Sequence, residues 1–122
     1  MGNSKNIKIG STGEKIASDY LVKCGYKILD TNWHYSRNSE IDIIALDKKT
    51  LVFVEVKTRT STAFGHPLEA ITQIKVKKIY MAALAYLEET KADYKNYRID
   101  AISIIGINSP KIEHIKNIGI DY

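Results

Sequence analysis

The sequence predicts an α/β domain with the element order α-β-β-β-α-β and a mixed central sheet flanked by helices. Three observations carry that prediction. Apolar residues recur at helical spacing in two stretches, residues 12–25 and 67–90. Four other runs, 26–33, 41–46, 51–58 and 97–106, are dense in β-branched or alternating apolar residues. The strand-helix-strand unit over 51–106 is long enough for a right-handed parallel crossover, while the short polar connection at 47–50 makes its flanking strands an antiparallel hairpin.

Residues 1–11 read as a flexible basic N-terminal tail ahead of a single domain over 12–122. The first helix is expected to start near Thr12, a capping residue, with Glu14 in its first turn, where the helix dipole favours an acid. Ile16, Ala17, Tyr20, Leu21 and Cys24 form its apolar stripe, and Gly25 follows as a left-handed terminator. Tyr26 to Trp33 reads as a strand, 34–39 as a polar turn, and Ile41–Leu46 and Leu51–Thr58 as the hairpin strands. Residues 59–66 are expected to be a mobile loop. Pro67 then opens a helix that runs to about Thr90, turning Leu68, Ile71, Ile79, Ala82, Ala83, Tyr86 and Leu87 inward. Tyr97–Gly106 reads as the fourth strand and Ile112–Ile118 as a weak edge strand.

Composition narrows the function classes. The 122 residues are 44% hydrophobic and 26% charged, with 18 Lys and Arg against 14 Asp and Glu, a net charge of +4. That excess is compatible with a phosphate-bearing partner without requiring one. The single cysteine, Cys24, excludes an intrachain disulfide and reads as a buried structural thiol. No apolar run approaches the ~18 residues of a membrane span, and the N-terminus lacks an apolar signal core, so no membrane partner and a cytoplasmic location are expected. The three histidines have no zinc-ligand spacing, and there is neither a Gly-rich phosphate loop nor a Ser-His-Asp arrangement.

The chemistry concentrates in the hairpin. A turn symmetric about Lys48 and Lys49 sets Leu46 opposite Leu51, Ile44 opposite Phe53 and Asp42 opposite Glu55. Directly opposed residues bring their Cβ atoms to about 5 Å, where like charges repel. Lys57 shares the face of Glu55, and the other face is apolar: Ile41, Ile43 and Ala45 with Val52, Val54 and Val56. Two carboxylates and an ammonium thus meet at one end of an oily hairpin. A hard divalent cation such as Mg²⁺, bound through one or two carboxylates plus waters and substrate phosphate, would balance them. The competing reading is an internal salt bridge from Lys57 to either acid. The in-register Asp42 favours a site. Glu40 either extends the cluster or is a solvated strand-start residue.

Four blocks together carry a resemblance: Gly13-Glu14; Gly25 to Leu29; Glu40-Ile41-Asp42-Ile43-Ile44-Ala45; and Leu51 to Arg59, which contains Glu55-Val56-Lys57. Over residues 12–106 the chain resembles the YraN family of small bacterial proteins, with a restriction-endonuclease-like fold similar to Holliday junction resolvases. The resemblance implies the PD-(D/E)xK pattern, with Asp42 and Glu55 as ligands of Mg²⁺ or Mn²⁺, Lys57 assisting catalysis and Glu14 as a further acid. Ser39 departs from the Gly usual before the Glu-Ile-Asp block, and Ile41 from the Pro of the pattern; neither change removes a ligand. The implied function is metal-dependent hydrolysis of DNA, branched or repair DNA included, and a homodimer would suit such a substrate. The alternative is a non-catalytic nucleic-acid-binding or repair-partner module on a nuclease fold.

Weaker candidates surround this centre. Gln73 and Lys77, one turn apart on the second helix, are candidates for nucleic-acid contact, the competing reading being a solvated helix face. Lys75, Lys77 and Lys78, with Arg37 and Arg59, are candidates for phosphate contact, Arg59 and Lys77 the preferred pair. Phe64, Gly65 and His66 are read as a substrate lid, a dimer contact or an ordinary connection, and Asp100 as a partner for Arg98 or a lysine.

Overall fold

The computed structural model of the chain describes residues 4–36, 39–61, 63, 65–91 and 94–118. Of the sequence expectations, Arg37, Phe64 and the first three tail residues lie outside them. The elements are α1 (Ser4–Lys23), β1 (Lys27–Ser36), β2 (Ser39–Asp47), β3 (Thr50–Arg59), a 3₁₀ turn (Pro67–Ala70), α2 (Gln73–Thr90), β4 (Asn96–Ile105) and β5 (Lys111–Ile115). The strands form one sheet in sequence order, with β3 and β4 parallel and every other neighbouring pair antiparallel. This is the mixed α/β architecture expected, compatible with a restriction-endonuclease-like core.

The sheet buries both faces. On one, Ala17 and Leu21 of α1 meet Ile43, Ala45, Val52, Val54, Val56, Ile102 and Ile104. On the other, Ile79, Ala82, Ala83 and Tyr86 of α2 meet Ile44, Leu51, Phe53 and Ile99. Each such fully buried Ile, Leu or Phe contributes about 1.5–3 kcal/mol. β3 therefore reads as a near-continuous apolar run because it is central and covered on both sides.

Two helix boundaries differ from expectation, each for a local reason. The first helix begins at Ser4, two turns before Thr12, so Glu14 sits in its interior and the first turn has no acid. Its end is as expected: Gly25 has φ +92°, and the Gly25 and Tyr26 amides bond back to the Val22 and Leu21 carbonyls in a Schellman motif. Cys24 lies past the last buried turn and is exposed, which corrects its reading as a buried thiol. The second helix is split. Ile71 and Thr72 are extended, and the Thr72 side chain accepts the Lys75 amide at 3.2 Å, starting α2 at Gln73. The Pro67 turn is separately capped by His66. No helix among the described residues is long and apolar enough to cross a membrane.

Candidate active site at the fork of the hairpin

The hairpin pairs in the register read from its sequence: Asp47 with Thr50, Leu46 with Leu51, Ala45 with Val52, Ile44 with Phe53 and Ile43 with Val54. The ladder ends there, one step before Asp42 and Glu55. Instead, the Val56 amide donates to Asp42 Oδ2 at 2.8 Å. A side chain has taken the place of a strand carbonyl, and β2 and β3 part at the two acids.

The parting corrects one expectation about faces. Ile41 joins the α2-side core, whereas Ile43 lies on the α1 side, although strand alternation would put them together. The paired strand shows why. β1 pairs Thr31 with Ile43 and Trp33 with Ile41, and Asn32 between them has φ +51°. A left-handed residue reverses the alternation, so Trp33 and Ile41 turn together toward α2, where the Trp33 ring meets Tyr86 edge-on.

Around the fork the charges are asymmetric. Asp42 and Glu55 are 8% and 5% exposed. Lys57 Nζ lies 3.3 Å from Glu55 Oε2, and Lys75 Nζ, arriving from the first turn of α2, lies 3.9 Å from the same oxygen. Asp42 has no ion pair within 4 Å among the described residues, although its charge acts on Lys57 and Lys75. Burial pushes its carboxyl up to about 8; Glu55, Glu14 and Glu40 add to the rise, and the Val56 amide opposes it. Asp42 is thus the acid that takes up a proton when no cation is bound.

Glu14 belongs to this cluster. Burial raises its carboxyl, a hydrogen bond from Asn32 resists, and the charges of Glu40 and Glu55 raise it further. The rival explanation for an acid here, a first-turn dipole partner, lapses because α1 starts well upstream. Gly13 sets the depth of approach: a Cβ there would meet Thr58 Oγ1 at 2.0 Å, so α1 touches β3 directly beside Glu14.

Of the remaining candidates, Arg59 is exposed and donates to the Thr58 carbonyl at 3.2 Å rather than entering the cluster. Lys77 is exposed on α2, and Gln73 is exposed at its first position. Lys75, not Lys77, reaches the acids. Its contact with Lys57 comes first in holding its ammonium below the usual lysine range, with burial next. For Lys57, burial works downward, but Lys75 and the acids prevail and raise it. The sequence signal for Lys75 was its position one turn before buried Ile79, on the stripe that faces the sheet. His66 was also under-read. Its Nδ1 accepts the Leu68 amide at 3.1 Å, so Nε2 carries the proton and donates to Glu113 Oε1 at 2.6 Å, tying the end of loop 59–66 to β5.

Among the described residues, no group of three or more His, Cys, Asp or Glu side chains makes a ready cation cage. The donor set is a pair of oxygen ligands, Asp42 and Glu55, with Glu14 nearby. Such a set fits a hard cation that keeps water or phosphate oxygens for its other positions, and does not fit a zinc cage.

Comparison with known proteins places this arrangement in a family. The family model described as "Uncharacterised protein family UPF0102" matches residues 13–104. A UPF0102 protein of Chlorobium phaeobacteroides is 47% identical over 116 residues, covering 89% of this chain and 91% of that protein. UPF0102 proteins of Geobacter sulfurreducens (44% over 118 residues, 95% and 91% covered) and Geobacter metallireducens (47% over 113 residues, 92% of each) are similarly related.

Proposed function

The chain belongs to the UPF0102 family, to which the YraN resemblance pointed, and from that premise we propose that it is a metal-dependent nuclease that hydrolyses DNA phosphodiesters at the fork of the β2–β3 hairpin. The observation that carries the reading is the buried Asp42, which has no ion pair within 4 Å among the described residues, beside Glu55, with Lys57 on the same strand. Burying neighbouring carboxylates is strongly unfavourable, and a divalent cation at the strand fork would relieve that cost.

Asp42 and Glu55 would hold Mg²⁺ or Mn²⁺, which supplies Lewis acidity and charge neutralisation toward a phosphodiester. The protein's own groups supply the rest. Lys57, half-buried beside Glu55, orients the attacking water or offsets charge as the water oxygen bonds to phosphorus and a P–O bond breaks. Lys75, more exposed than Lys57, would receive a substrate phosphate. Glu14 adds negative charge on the α1 side and strengthens the demand for a cation. Branched or repair DNA is the proposed substrate form, the cytoplasm the proposed location, and a homodimer the proposed assembly, since a two-fold enzyme matches a symmetric junction.

Incubation with duplex, single-stranded and four-way DNA and either cation is the test. The wild-type protein nicks or cleaves one of these forms, and Asp42→Ala and Glu55→Ala do not. Cleavage that survives both substitutions overturns the proposal. One observation favours a second reading: two lysines already neutralise Glu55 without any metal. A non-catalytic nucleic-acid-binding or repair-partner module would give gel shifts indifferent to chelator and no cleavage of any form.

A further inference from the structure

A second cleft, of about 340 Å³, opens at the other end of the β2–β3 hairpin. Asp47 on its rim is five strand residues from Asp42, about 17 Å away. Its walls come from α1, the start of β1, the hairpin turn and β5: Tyr20, Tyr26, Lys48 and His114, with Lys116 beyond. The volume lies within the range of small-ligand sites.

The charges behind these walls are settled. Asp100 is fully buried and receives Arg98 at 2.9 Å, His114 Nε2 at 2.7 Å and the Asn117 amide at 3.0 Å. Asp47, the one acid among the described residues of the lining, is paired with Arg98 at 3.2 Å. The cations that line the cleft are not settled. Lys48 and Lys116 are exposed, and neither has an ion-pair partner among the described residues. Tyr26 adds a directional group. Its hydroxyl oxygen accepts from Arg98 Nη2 at 2.8 Å, so its own proton remains to be donated. Two ammonium groups and a phenolic O–H around a small cavity match a multiply charged oxyanion.

We infer that this cleft binds a small anion of the phosphate-monoester class, with Lys48 and Lys116 supplying charge and the Tyr26 hydroxyl a directed hydrogen bond. Free phosphate, a nucleotide and the phosphorylated end of a strand share that chemistry. The inference is independent of the nuclease proposal, because binding here needs neither a divalent ion nor cleavage.

Cys24 makes the test direct. It is the only cysteine of the chain, is exposed and lines the cleft. Its rate of modification by a thiol reagent is followed against inorganic phosphate, a nucleoside 5′-monophosphate and a short 5′-phosphorylated DNA strand, at constant ionic strength without divalent ions. At least one probe slows modification saturably, and the order of the three Kd values identifies the source. Lys116→Gln weakens that Kd roughly tenfold, and the double variant with Lys48→Asn more. Asn suits position 48, where φ is +58°. Absence of saturable protection from all three probes, or an unchanged Kd in Lys116→Gln and the double variant, overturns the inference.

Discussion

Replacing Asp42 by Asn should make the protein more stable, and increasingly so as pH rises. Asn keeps the shape and an oxygen to accept the Val56 amide, but removes the charge that burial, Glu55 and Glu14 oppose. The sign follows from linkage. Asp42 titrates at about 8 in the folded protein against 3.8 for an ordinary aspartate. Between those values the folded chain holds a proton that the unfolded chain has lost, so wild-type stability falls as pH climbs through the window. Below about 3.8 both states are protonated and the difference vanishes. At about 1.4 kcal/mol per pH unit, the window sets a ceiling of ~6 kcal/mol. Relaxation and the high effective dielectric of real interiors reduce the expected gain to ~2–3 kcal/mol above pH 8. Urea unfolding of both proteins in chelator, across about pH 4.5 to 8.5, reads it. A gap between variant and wild type that stays constant with pH would refute the reasoning, because only an ionising Asp42 makes the gap grow.

Other outcomes follow from the same geometry. Lys75→Ala should lower metal-dependent cleavage by tenfold or more, whereas Lys77→Ala should change it less than twofold; initial rates on the preferred DNA form decide between them. Gly13→Ala should destabilise by ~2–4 kcal/mol, because its Cβ would overlap Thr58 Oγ1, and adding Thr58→Ala should recover part of the loss in a double-mutant cycle by urea titration. Asp100→Ala should cost ~3–5 kcal/mol by thermal or urea unfolding, since it strands Arg98 and His114 inside the fold. Glu113→Gln should speed amide exchange at Leu68 and Glu69 by releasing His66, with little change in the hairpin; unchanged exchange would show that the tie does not hold the turn.

The hairpin was the most legible part of the chain. A two-residue turn and a period of two leave little freedom, so pairs from Asp47–Thr50 to Ile43–Val54 follow from sequence alone. Both helical stripes and the parallel β3–β4 pairing were legible for similar reasons of periodicity and connection length. The misreadings share another cause: they were decided by a neighbour. The face of Ile41 depends on the backbone of Asn32 in another strand. Thr12 has the chemistry of a cap, yet α1 runs through it from Ser4, and Gly13 beside it serves the close contact with Thr58. The break before α2 was written in Thr72, a capping residue inside an apolar pattern that otherwise reads as one helix. Lys75 rather than Lys77 meets Glu55 because it lies one turn before buried Ile79, on the side of α2 that faces the sheet. Of the two partners the sequence allows for Asp100, Arg98 or a lysine, it is Arg98 that binds it, and His114, which the sequence does not suggest, joins it.

The bare α-carbon of Gly13 has a consequence for how damage to this protein would present itself. Because residue 13 fixes how closely α1 lies on β3, it also fixes the position of its covalent neighbour Glu14 beside the acids. A lesion at Gly13 would therefore resemble a lesion of the proposed site in any genetic screen, although glycine has no side chain to contribute. Suppressors of such an allele are expected at Thr58, on a strand more than forty residues away. Selection at this site thus extends to a residue that takes no part in any chemistry.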